Sequence, residues 1–212
     1  DLHSLFSLKC IEKLPNDYVL AEYLSGEFIT REETFWRTIF RLQPACCLSI
    51  RLNGLESRHY WIPDFHEDIK FRNQVEYQEL YKEILFKSVA RQSRSHSPTA
   101  FEVSGGLDSS AIYAVAKNLF DRKKLITPNI YGFTLYYPDD SDANDIEYSR
   151  AVGNHLGVHL HEIQPPGTPF SWYQEWVEKF CDVPPYPNGA MALKLRQAAV
   201  NRGCRVVMTG VG

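Results

Sequence analysis

At 212 residues, 44% hydrophobic and 23% charged, the chain can fill one good core, or one core and part of another. A net charge of −3 and a pI near 6.2 do not suggest a nucleic-acid or anionic-membrane surface, and no apolar run is long enough to span a bilayer. Five cysteines, an odd number with no C-x-x-C, point to reduced thiols in a cytoplasmic protein rather than a disulfide framework or a zinc site. The chain opens on Asp1-Leu2-His3-Ser4, with no Met and no signal-peptide pattern, and stops on a loop just after an apolar strand. It reads as a piece of a longer protein.

Residues 1 to about 63 form a first block. Asn16 or Asp17 can cap a short helix through Tyr18–Leu24, with Gly26 stopping it. A second short helix is expected over 32–40, capped by Thr30. Leu48, Ile50 and Leu52 alternate with polar residues, and a second run, Leu55 to Trp61, follows Asn53-Gly54. Asn-Gly between such runs predicts a hairpin with a type I′ turn. Cys46 and Cys47 read as small half-buried hydrophobes. Residues 62–74 read as a linker, Pro63 preventing easy continuation of the strand.

From Val75 to Ala90, Tyr77, Leu80, Tyr81, Ile84, Leu85, Ser88 and Val89 recur at helical spacing and read as a core-packing stripe. Arg91, Arg94 and His96 read as a solvated helix end. Strands are then expected at about 99–103, 130–136, 158–163 and 204–208. Helices between them run to about Phe120, from about Asp145 to Leu156 (burying Ala151, Val152 and Leu156), around Trp172 and Trp176, and from Ala190 to about Val200. Such alternation implies parallel βαβ units, whose ligands bind beyond the carboxyl ends of the strands. The expected fold class is α/β: a parallel twisted sheet flanked by helices, preceded by a partial α+β block with a β-hairpin. The expected domains are 1–68 and 69–212.

The chemistry concentrates in Val103-Ser104-Gly105-Gly106-Leu107-Asp108-Ser109-Ser110. A strand entering a glycine turn and then a helix directs unpaired backbone N–H groups and the positive helix end at one spot, which suits a phosphate. Gly105 and Gly106 let the backbone approach an anion closely, and Ser104, Ser109 and Ser110 add hydroxyls. Asp108 at an anion site calls for an intervening cation, and Mg²⁺ fits. Both G-x-x-x-x-G-K-[ST] and G-x-G-x-x-G are absent. Two other clusters do not make sites. His161 and Glu162 would point to opposite faces of a strand, which leaves His155, His159 and His161 short of a metal set. The acidic run Asp139 to Asp145 lacks the glycine and terminal glutamate of a Ca²⁺ loop.

The loop Ser104-Gly105-Gly106-Leu107-Asp108-Ser109-Ser110 resembles the SGGxDS loop of the N-type ATP pyrophosphatases, in the form found in asparagine synthetases. Tyr60-Trp61, Thr209-Gly210-Val211-Gly212, Tyr148-Ser149-Arg150-Ala151-Val152 and His155-Leu156-Gly157 are also similar to that branch. Residues 1–68 then resemble the end of a glutaminase domain plus linker, and residues 69–212 the start of a synthetase domain. The glutaminase nucleophile would be a cysteine at a mature N-terminus, which no cysteine of this chain matches.

The resemblance implies an ATP-dependent amide-forming ligase. A carboxylate of a small molecule or peptide is adenylated with release of pyrophosphate, then passed to ammonia from glutamine or to an amine. It implies that Ser104, Gly105, Gly106, Asp108, Ser109 and Ser110 hold the ATP phosphates, with Leu107 in the same loop. Val103 and Leu135 would flank the adenine, Thr209 and Gly210 would lie against the nucleotide, and Asp108 would coordinate Mg²⁺. The family's second metal ligand and catalytic lysine would lie downstream of Gly212, so no catalytic residue is assigned. A homodimer is compatible with the full-length form. In asparagine synthetases the third residue of the last turn is usually Glu, and in β-lactam synthetases Tyr; here it is Val211. That departure keeps open a β-lactam synthetase-like relative, a lasso-peptide cyclase, or a non-catalytic piece that only binds nucleotide.

Overall fold

The computed structural model describes residues 2–27, 29–64, 69–138, 145–165, 167–184 and 189–210. The chain divides into two compact units, one of Asp1–Lys70 with Phe170–Pro184 and one of Phe71–Pro169 with Pro185–Gly212. Among the described residues no helix is long and apolar enough to cross a membrane, and all five cysteines are unbridged.

The first unit holds helices α1 (Leu2–Phe6), α2 (Asp17–Ser25) and α6 (Phe170–Phe180), and a hairpin of β1 (Cys46–Arg51) and β2 (Gly54–His59). Asn16 caps α2, its side chain accepting from the Tyr18 N–H at 3.3 Å, and Gly26 ends it in the left-handed region at φ 75°. The helix expected over 32–40 does not form. Thr34 Oγ1 donates to the carbonyl of Ile39 at 2.7 Å and accepts from the Trp36 N–H at 3.1 Å. Such local bonds offer the backbone an alternative to a helix. Thr30 is not a cap; its hydroxyl binds Glu22. The chain here makes isolated bridges, Pro15 to Trp36 and Glu33 to Phe40.

The hairpin forms with a different turn. Arg51 pairs with Gly54, so the loop is Leu52-Asn53, and neither residue has the positive φ that a type I′ turn demands. Gly54 instead opens β2 at φ 142°, a conformation that a side chain would strain. Cys46 is half-buried but Cys47 is exposed, which corrects the expectation for Cys47. α6 brings a distant contact: the Trp36 indole N–H donates to the carbonyl of Cys181 at 2.7 Å, and the Phe6 ring meets Trp36 edge-on at 4.9 Å.

The second unit is a four-stranded parallel sheet of order β5-β4-β3-β6, built from β3 (Thr99–Glu102), β4 (Ile130–Leu135), β5 (Leu160–Ile163) and β6 (Val206–Met208). Its helices are α3 (Gln74–Gln92), α4 (Leu107–Asp121), α5 (Ile146–Leu156) and α7 (Gly189–Asn201). β4 adds on one side of β3 and β6 on the other, so the winding reverses at β3, where open sheets place their ligands. β5 and β6 start later than expected because the N–H groups of Val158 and Cys204 close the preceding helix ends, on Gly153 and Ala199.

Alternation divides the sheet into two faces. Phe101, Val103, Ile130 and Leu160 pack with Tyr113, Val115, Ala116 and Leu119 of α4. Ala100 and Phe133 pack with Leu195 and Ala199 of α7. Gly132 leaves room for the Tyr113 ring: a Cβ there would lie 2.9 Å from Tyr113 Cζ. Burial pushes the Tyr113 hydroxyl pKa up to about 12, offset in part by a hydrogen bond to the Gly132 backbone.

Two packing expectations need correction. On α3 only the last turns are packed, through Leu85, Phe86, Val89 and Ala90, while Tyr77, Tyr81 and Ile84 stay exposed. On α5 the buried residues are Ile146, Ser149 and Gly153, with Val152 and Leu156 half-buried and Ala151 exposed.

Candidate functional site

β3 ends in buried Val103, whose N–H continues the ladder to the carbonyl of Phe133 at 2.8 Å. The chain then turns through Ser104, Gly105 and Gly106 into α4. Gly105 sits at φ 85°, and a Cβ on it would lie 2.6 Å from Tyr148 Cβ and 2.9 Å from the Ser149 nitrogen. The turn therefore needs glycine twice over, for its conformation and for the close approach of α5. Ser104 N–H donates to Ser109 Oγ at 3.2 Å, and the two hydroxyls lie 2.9 Å apart. Gly106 caps α4 with no side-chain hydrogen bond, so the first-turn N–H groups have no side-chain acceptor and carry the positive end of the helix.

Buried Ser149 braces the turn from α5. Its hydroxyl donates to the carbonyl of Val103 at 3.0 Å and accepts from Thr134 Oγ1 at 3.0 Å. From the other side, Gly210 follows β6 to the start of α4, where a Cβ on it would lie 2.7 Å from the Ser109 nitrogen. Thr209 is half-buried beside it in sequence. The sequence-selected residues Ser104 to Ser110 and Gly210 thus meet at one edge of the sheet. Leu107, 90% exposed, and Asp108 stand on the open side of the first turn, while the Ser110 hydroxyl is buried with no hydrogen-bond partner.

Val103, Ser104 and Leu135 also border a cavity of about 200 Å³, with Phe133, Ala192 and Leu195 supplying apolar wall and Glu102, Thr134, Tyr137 and Asp145 polar groups. Leu107, Asp108 and Thr209 do not line it. Sequence reasoning missed Glu102, Tyr137, Asp145 and the α7 residues. The one available signal was Glu102 itself, a carboxylate in an otherwise apolar strand directly before the glycine turn. Burial pushes its carboxyl pKa above the ordinary 4.5, the Arg196 charge pulling partly back. Tyr137 donates to Met191 Sδ at 3.2 Å, and burial raises its pKa.

The other clusters lie apart from this edge. Glu162 accepts two hydrogen bonds of 2.7 Å from Arg150, which hold its carboxyl below the ordinary carboxylate range. His161 lies on the other face, its ring 5.1 Å from Phe133. Among the described residues no three His, Cys, Asp or Glu side chains gather as a metal set. Most of the acidic loop, residues 139–144, and Val211 lie outside the described residues.

Gly105 and Gly210 let α5 and the chain after β6 pack against the turn more closely than a Cβ would allow, and a buried hydroxyl at Ser110 lacks a partner. Mg²⁺ keeps several waters and takes one or two carboxylates beside phosphate oxygens, so a single exposed Asp108 is a sufficient protein ligand. ATP and Mg²⁺ both fit this edge.

Known proteins similar to this chain include two fungal amidases and an archaeal asparagine synthetase. The amidase chry2 of Gibberella zeae is 27% identical over 192 residues, covering 84% of this chain and 28% of that protein. The amidase chyE of Penicillium rubens is 26% identical over 190 residues, again 84% and 28%. A putative asparagine synthetase (glutamine-hydrolyzing) of Methanocaldococcus jannaschii is 27% identical over 202 residues, 92% of this chain and 38% of that protein. The chain thus spans less than two fifths of the length of these curated relatives. The family model for asparagine synthase matches residues 80–212, more than half of the chain and all of the sheet with its glycine turn. The chain therefore belongs to the asparagine synthase family.

Proposed function

We propose that the second unit is the nucleotide-binding part of an ATP-dependent, amide-forming ligase. The carrying observation is the convergence of the ends of β3 and β6 on the uncapped first turn of α4, a close approach that Gly105 and Gly210 permit. Family membership supports the reading. The relatives' names, amidase and asparagine synthetase, both point to amide chemistry.

The backbone N–H groups of the turn and of α4, with the hydroxyls of Ser104, Ser109 and Ser110, would bind the triphosphate, and Asp108 would hold Mg²⁺. The metal ion, when bound, neutralises phosphate charge. A carboxylate oxygen of the acyl substrate attacks the α-phosphorus, and the bond to the β-phosphate oxygen breaks with its electron pair leaving on pyrophosphate. Ammonia or an amine then displaces AMP, forms the amide and gives up a proton. In the first step, charge accumulates on the departing pyrophosphate. The fixed dipoles of the turn stabilise that charge without reorganising. Val103 and Leu135 border the adenine, and Thr209 and Gly210 lie along the nucleotide.

Titration calorimetry of the full chain with Mg-ATP tests the reading. Binding is expected, and Asp108→Ala should weaken it at least about tenfold, since charge-assisted contacts are worth roughly 1.5–3 kcal/mol. No heat from the parent chain at millimolar nucleotide would refute it.

A further inference from the structure

Glu102 is the last residue of β3 and lines the cavity beside the glycine turn. Its Oε1 is buried and accepts no hydrogen bond from the protein. A carboxylate oxygen left so is costly, so the arrangement makes sense if a ligand supplies the missing donor. The cavity's dimensions limit that ligand. At about 200 Å³ it is smaller than the roughly 300–1,000 Å³ of pockets that take a whole drug-sized molecule, and it suits one flat ring system. Its walls are apolar at Phe133, Leu135, Ala192 and Leu195, as a stacked ring requires. Ser104 lines it too, and also belongs to the phosphate-facing turn. Glu102 and Ser104 are two residues apart, at most about 7 Å of extended chain, a short step from phosphate to base.

We infer that Glu102 selects the base of the bound nucleotide: its Oε1 accepts a hydrogen bond from the 6-amino group of adenine seated in this cavity. The inference rests on the nucleotide reading above and adds to it a named specificity residue. A purine with a carbonyl at position 6 would set two acceptors against each other, with Asp145 adding negative charge at the same cavity. Sites built around a hydrogen bond reject analogues that cannot make it, because the buried partner is then left unpaired. Raised burial cost at Glu102, only partly offset by Arg196, agrees with a carboxylate placed there for a ligand rather than for stability.

The test is equilibrium binding of Mg-ATP, Mg-ITP and the Mg-triphosphate of unsubstituted purine riboside to the full chain, read by calorimetry, with Glu102→Gln and Glu102→Leu in parallel. The parent should prefer ATP to ITP by about tenfold or more, with the unsubstituted purine between them. Glu102→Leu should bring the three within about twofold of one another, and Glu102→Gln, whose amide can also donate, should recover ITP binding. Thermal unfolding of each variant establishes that it is folded. Equal binding of ATP and ITP by the parent, or a preference unchanged in both variants, overturns the role of Glu102 and leaves nucleotide binding standing. Failure of the parent to bind any of the three overturns both.

Discussion

The two faces of the parallel sheet are built alike but finished differently. On the α4 face, Phe101, Val103, Tyr113 and Ala116 are each at most 2% exposed, and the core continues to the strand ends. On the α7 face, Ala100, Phe133 and Ala199 are just as buried, yet the packing stops one residue short and a cavity opens over Glu102 and Leu135. The same backbone alternation serves both. The difference lies in what stands at the last inward position: Val103, 1% exposed, on one face, and the half-buried carboxylate of Glu102 on the other. One face supplies rigidity to the glycine turn, and the other supplies space beside it.

Emptying the closed face should have the largest effect. Phe101→Ala should cost about 3–5 kcal/mol in urea unfolding, and Phe133→Ala somewhat less, because the neighbouring cavity lets the site relax. A smaller loss for Phe101→Ala than for Phe133→Ala would break the comparison. Gly132→Ala should cost about 1–3 kcal/mol, since its Cβ would overlap Leu160 and Tyr113 and the packed ring cannot yield. Ser149→Ala should cost roughly 1–2 kcal/mol, because the carbonyl of Val103 and the hydroxyl of Thr134 lose their shared partner.

The smallest effect belongs to the open face and depends on pH. Glu102 has a raised folded pKa, so the native state holds its proton more tightly and stability falls as pH rises through the window above 4.5. Glu102→Gln should therefore be more stable than the parent at neutral pH by under about 1 kcal/mol after solvent screening. The gain should vanish below the ordinary carboxylate pKa. A gain that persisted in acid would mean that charge is not its source.

Much of the second unit follows from local chemistry. Alternating β-branched and aromatic runs, glycines at Gly105, Gly157 and Gly203, and seven loop residues from Ser104 to Ser110 are enough to place the strands and the turn. What the sequence hides is pairing across distance. Ala151 and Ile84 sit at apolar positions of periodic helices, but exposure depends on how far each helix is covered, which periodicity does not encode. The bond from Trp36 to the carbonyl of Cys181 joins residues 145 apart. In the hairpin, Asn53-Gly54 signals a turn correctly, but the register moves by one residue so that Gly54 opens a strand. Glu102 was overlooked because a charged residue at a strand end is usually solvated; only the fold shows its oxygen enclosed.

Amide hydrogen exchange of the full chain, with and without saturating Mg-ATP, tests the central claim most directly. The account predicts added protection at Gly105 to Ser110 and at Gly210, with β1 and β2 unchanged. Unaltered exchange at the turn under nucleotide saturation, or protection confined to other segments, would contradict it.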